Sequence, residues 1–148
     1  MIDFEPWDTL LRQYVDQQGR VNYLAWKTEQ PQVLDDWLDN QKNLPLQSNI
    51  NAVEQLALWI NLYNAFTISS ILKLYPLESI LPKIFGVPNW LGFLWFFQRR
   101  IYYIFGQRYS LAQIENQILR NELQKPRIHF AIVCASYHLT LKVIQIRW

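Results

Sequence analysis

Three side chains near the C-terminal end have types and spacing that could do chemistry: His129, Cys134 and His138. A Cys thiolate next to an imidazole is the minimal nucleophilic unit of a cysteine-dependent hydrolase or acyltransferase, and an Asn often orients the imidazole. Asn61, Asn64 and Asn116 are available for that role. On a regular strand His129 and Cys134 point to opposite faces, because their positions differ by an odd number. Cys134 therefore needs its base from elsewhere, with His138 or a helix residue as candidates. The plainer reading is that Cys134 is a small apolar side chain ending a buried strand, and that His129 bonds a backbone carbonyl at its edge. Metal binding is not expected. His129, Cys134, His138 and Glu115 lack the close paired spacing of structural zinc sites, and no cofactor is expected either.

The elements that must position these groups begin with Asn51 to Tyr75, a helix-compatible run without Gly or Pro and followed by Pro76. Its apolar residues fall on almost every face, so it should be a central buried helix. Asn51 and Glu54 match an N-cap and its capping-box partner. Asn61 and Asn64 lie one turn apart inside it, and a buried amide without partners costs about 1–3 kcal/mol. They either line a pocket together with Glu115 and Asn116, or bond the backbone of a connector packed on the helix.

Before this run, Phe4 to Gln17 reads as a helix with Trp7, Leu10, Leu11, Tyr14 and Val15 inward, closed by Gly19. Arg20 to Tyr23 reads as a short extended piece. Pro31 opens a second helix, with Val33, Leu34, Trp37 and Leu38 inward and Asp35, Asp36, Asp39 and Asn40 outward. After it, Pro76 to Asn89 reads as loop with a helical turn around Ile80 to Phe85, and Trp90 to Phe97 fits helix or strand. Arg100 to Ser110 reads as a β-hairpin turning at Gly106-Gln107. Ser110 caps a helix over Leu111 to Leu123, with Gln113 in the reciprocal position. Ile128 to Cys134 reads as a buried strand. The whole predicts one helix-rich α+β domain over residues 1–148, with a central buried helix and a small, mainly antiparallel sheet from residues near 100–110 and 128–134.

Composition narrows the function classes. The chain has 148 residues, 51% hydrophobic and 16% aromatic, with net charge +2. That balance is too weak to argue for nucleic acid, although Phe96 to Tyr103 interleaves arginines with aromatics. No apolar run reaches the roughly 20 nearly uncharged residues of a spanning helix, so no membrane is expected. One Cys and no leader-like start fit the cytoplasm. The aromatic excess at residues 90–105 marks an expected interface for a protein partner or a second copy.

Several segments resemble the family known as domain of unknown function 547 (DUF547). They are GRVNY at Gly19 to Tyr23, EQLALWINLYNAF at Glu54 to Phe66, YPLESI at Tyr75 to Ile80, SLAQIENQILR at Ser110 to Arg120, and PRIHFAIVCAS at Pro126 to Ser136. They follow the family's order and spacing across nearly all of residues 4 to 136. The resemblance implies a fold and a candidate site rather than a reaction, since the family has no settled activity. It also implies a His where this chain has Asn116, which removes a metal ligand, and a Cys-Pro after the Cys-Ala-Ser where this chain has Tyr137-His138. The resemblance stops after Ser136, so the family's C-terminal part is expected to be missing by truncation, a shifted reading frame or divergence. The leading expectation is an uncharacterised binding or scaffold module in shortened form. The alternative is a hydrolase or acyltransferase built on Cys134 with His129 or His138.

Overall fold

A computed structural model describes residues 2–45, 51–76, 83–84, 87–88 and 95–116. Its elements run α1 (Glu5–Tyr14), α2 (Tyr23–Glu29), α3 (Val33–Asn40), α4 (Ala52–Leu74), β1 (Lys83–Ile84), β2 (Val87–Pro88), α5 (a single turn at residues 95–98), β3 (Tyr102–Ile104), β4 (Gln107–Tyr109) and α6 (Leu111–Gln113). The fold is helix-rich α+β, with two separate two-stranded antiparallel sheets, β1–β2 and β3–β4.

α4 is the axis of the domain, and every residue from Ala57 to Leu72 is buried. It starts where its capping box dictates: the Asn51 side chain accepts from the Val53 and Glu54 amides, and Glu54 accepts from the Asn51 amide. Such caps contribute about 1 kcal/mol each by satisfying otherwise orphaned N–H groups. The other end is tied to α3. Ser69 donates to Asp35 Oδ1 at 2.6 Å, and Lys73 pairs with Asp35 Oδ2 at 3.0 Å. Asp35 therefore faces α4 rather than solvent as its acidic neighbours suggested. Val33, expected inward, is instead exposed, because the face that meets the core is set by Leu34, Trp37 and Leu38.

An aromatic layer joins the N-terminal helices. Trp7 stacks on Trp37 with centroids 5.9 Å apart, and Tyr14 stacks on Trp26 at 5.0 Å. These rings, with Leu10, Leu11 and Leu34, fill the core against α4.

Two local readings change between α1 and α3. The α1 helix ends at Tyr14, where Val15 turns extended and bridges Val21, so Gly19 belongs to the following turn and not to the helix end. In that turn Gly19 has φ +78, open to glycine without strain. Asp16 clamps it, accepting from the Gln18 and Arg20 amides and from Arg20 Nε at 2.7 Å. Tyr23, expected to be extended, opens α2 instead. Asn22 supplies the N-cap by accepting from the Ala25 amide. GRVNY is thus a turn followed by a helix cap.

Within the helical turn expected around Ile80 to Phe85, Lys83 and Ile84 are instead extended, with Lys83 opposite Pro88 and Ile84 opposite Val87, and the rest of that turn lies outside the described residues. Residues 95–98 are helical, while the rest of the segment expected as helix or strand, residues 90–94, lies outside the described residues. The β3–β4 hairpin forms as expected but turns one residue earlier, at Phe105-Gly106. Both have positive φ, +52 and +74, which matches the right-handed twist of the strands in a two-residue turn. The tip docks on the body: the Gly106 amide donates to the Lys42 carbonyl at 3.0 Å, and Phe105 meets the Trp59 ring edge-on. That docking gives the non-glycine residue a reason to hold its left-handed conformation.

Ser110 caps α6 as expected, accepting from the Gln113 amide at 3.0 Å. The reciprocal half is missing, since Gln113 Oε1 is buried with no hydrogen-bond partner. α6 passes into a π-type turn at residues 114–116 and packs on α4 with Leu111 and Ile114 buried. The rest of the helix expected to Leu123 and the strand expected at Ile128 to Cys134 lie outside the described residues.

Candidate functional site

The candidate residues divide between those the structure describes and those it does not. His129, Cys134 and His138 lie outside the described residues. Asn61, Asn64, Glu115 and Asn116 lie within them.

Both ends of the Asn61 amide are engaged inside the helical core. Its Oδ1 accepts from the Trp7 indole N–H at 3.1 Å, and its Nδ2 donates to the Ala57 carbonyl at 2.9 Å. The central helix is thus locked to α1 by a side-chain bond buried from water, where a lost partner is costly. Asn64 is fully buried and also engaged. Glu115 is half-buried and engaged, while Asn116 is exposed; both belong to the π-type turn after α6.

A second polar group on α4 escaped sequence reading. Ser70 Oγ and Tyr102 Oη lie 2.5 Å apart in a buried hydrogen bond, and the Phe66 ring packs 4.6 Å from Tyr102. Burial pushes the Tyr102 hydroxyl pKa above its ordinary value, while Ser70 and Arg99 pull it back. Arg99 leads from this buried network to the surface. Its guanidinium lies 4.2 Å over the Trp95 ring and 5.5 Å from Phe96, and its Nε is buried without a hydrogen-bond partner. The only advance signal was the Ser69-Ser70 pair within an apolar helix. Nothing in it named Tyr102 as the partner, because that contact is made across 32 positions.

Two further donors stand unpaired on one face of α2. The Tyr23 hydroxyl and the Trp26 indole N–H are buried without partners, and burial drives the Tyr23 pKa far up. Nearby, Lys27 Nζ donates to the Tyr75 carbonyl, joining α2 to the end of α4. Tyr14 is also raised, first by burial and then by its bond to the Glu29 carboxylate. Among the described residues no cluster of three or more His, Cys, Asp or Glu side chains could hold a metal ion.

The described surface departs from an ordinary solvated one at residues 95–103. Trp95, Ile101 and Tyr103 are exposed, at 59%, 52% and 36%. Tyr103 stands opposite Arg108 across the hairpin. Alternation along β3 sends Tyr102 and Ile104 into the core and Tyr103 outward.

A family model described as "Protein of unknown function, DUF547" matches residues 47–140, which include α4, the hairpin, α6 and the His129–Cys134 segment. The chain belongs to the DUF547 family. The DUF547 match continues to residue 140, beyond the expected stop at Ser136, whereas GRVNY at Gly19 to Tyr23 lies before it. Neither a curated protein nor a solved structure matches the chain. Among the described residues of this DUF547 chain, no helix is long and apolar enough to cross a membrane.

Proposed function

We propose that this DUF547 chain is a binding or scaffold module that engages a protein partner through residues 95–108. The observation carrying this reading is the exposure of Trp95, beside Arg99, and of Ile101 and Tyr103, the latter opposite Arg108, on α5 and the anchored hairpin that follows it. Large apolar side chains exposed in one short segment mark interaction surfaces more often than solvated ones. The Asn61 bonds to Trp7 and Ala57 agree with this reading, because they give α4 the part of a rigid support. Aromatic and Arg anchors on a rigid support are the usual carriers of interface energy.

The test opposes this reading to nucleophilic catalysis by Cys134. The intact chain is screened with ester, amide and thioester substrates, and labelled with a thiol-reactive probe across pH. The expected result is no turnover and a Cys134 that reacts only near the ordinary thiol pKa of about 8.5, or not at all. Turnover lost in Cys134→Ala would overturn the module reading and assign the chain to the hydrolases or acyltransferases.

A further inference from the structure

We infer that the outer edge of β3 accepts an extended acidic segment of another protein as an added strand, an inference that rests on the module reading above. Its geometry follows from the hairpin register. Ile104 and Gln107 flank a two-residue turn, so they and the pair Tyr102–Tyr109 exchange the hydrogen bonds of the ladder. Tyr103 lies between them in a non-bonded pair with Arg108, and its N–H and C=O therefore point away from β4. Ile101 continues the same alternation just before the strand. Among the described residues nothing pairs with this edge, and both Ile101 and Tyr103 are exposed. Such edges are usually blunted by charge or Pro at the strand itself. Here the outward side chains on β3 are apolar, and the charge lies around them.

Charge decides what fits. Residues 79–114 contain Lys83, Arg99, Arg100 and Arg108 and no Asp or Glu. Arg99 has no carboxylate partner among the described residues, and stacking on Trp95 holds its guanidinium in place. A second copy pairing β3 to β3 would add the cations of one hairpin to those of the other with no acid between them, which is repulsive. The chain's own segment 125–134 adds Lys125 and Arg127 and no acid. An acidic strand with apolar residues at alternate positions satisfies the backbone edge, the apolar side chains and the cations together. Backbone pairing supplies affinity, and the arginines supply the preference for acid.

The experiment measures fluorescence anisotropy of a labelled peptide of alternating Val and Glu with the full chain, against a Val and Lys peptide. The acidic peptide should bind and weaken with added salt, and the basic one should not bind. Tyr103→Pro removes the outward N–H together with the exposed ring, at an edge position where Pro is tolerated, and should weaken binding at least about tenfold. The double variant Arg100→Glu/Arg108→Glu should reverse the preference toward the basic peptide, a gain that misfolding cannot imitate. Equal binding of both peptides, or no loss in Tyr103→Pro with preserved circular dichroism, overturns the inference. Stronger binding to phosphatidylserine vesicles than to the peptide overturns it in favour of a membrane surface. Absence of any peptide binding also overturns it, but leaves the module reading standing unless Cys134-dependent turnover appears as well.

Discussion

The bond between Asn61 and Trp7 gives the most direct test of the central helix as a support. Replacing Asn61 with Leu keeps the number and branching of side-chain heavy atoms, so no cavity opens. The Ala57 carbonyl loses the amide donor but keeps its place in the helix ladder. What remains is the Trp7 indole N–H, on a residue 2% exposed, with its acceptor gone. An orphaned buried donor costs about 1–3 kcal/mol, so Asn61→Leu should destabilise the domain by that amount. For a chain of this size the midpoint should fall by about 2–4 °C for every kcal/mol. Trp7→Phe is costly in its own right, because it also removes ring area stacked on Trp37. In the Trp7→Phe background, however, Asn61→Leu should cost little or even stabilise, since no donor is left to satisfy. The coupling energy of the cycle should therefore be about 1–3 kcal/mol. Urea titrations of all four proteins by far-UV circular dichroism measure it, avoiding the tryptophan signal that one substitution alters. A cost for Asn61→Leu that is equal in both backgrounds would refute the reasoning. So would a single variant as stable as the parent.

Three further outcomes are expected. Tyr23→Phe removes a buried hydroxyl that has no partner, and should raise stability by about 1 kcal/mol in the same titration; a loss would show that the hydroxyl is satisfied in solution. Ser69→Ala deletes the 2.6 Å bond to the Asp35 carboxylate and should cost about 1.5 kcal/mol, the low end for a charged acceptor because Lys73 still pairs with Asp35; an unchanged midpoint counts against the α3–α4 tie. Asp16 is held below its ordinary carboxyl value of 3.8 by the Arg20 amide first and the Arg20 side chain next, so the folded state gains from its charge above 3.8 and loses that gain as pH falls through the lower folded-state value. The acid-side slope of stability against pH should therefore flatten in Asp16→Asn, and an unaltered slope would discount the clamp.

Much of the fold was legible because it rests on local rules. The capping box at Asn51 and Glu54, the all-round apolar pattern of α4 and the Ser110 cap each depend on residues a few positions apart, and each formed, though without the reciprocal Gln113 half at Ser110. α2 was missed because seven residues show too little period to stand out, and the Asn22 cap was hidden inside an apparently extended motif. The hairpin was anticipated but its turn was displaced by one residue. Only a tertiary contact, the Gly106 amide on the Lys42 carbonyl, accompanies positive φ at Phe105, a residue that local preference would not choose.

For the candidate site the division is sharper. The sequence by itself determined which side chains have chemistry to offer, the motifs that resemble DUF547, and the cation-only charge of residues 79–114. Partnership was decided by tertiary structure alone. Asn61 meets Trp7 across 54 positions, Ser69 meets Asp35 across 34, and Ser70 meets Tyr102 across 32. Hydrogen bonds depend on distance and direction in space, and a sequence encodes neither for residues so far apart. The same holds for exposure: Phe96 and Trp95 are adjacent aromatics, yet one is buried and the other open to solvent, because a helical turn sends neighbours to different faces.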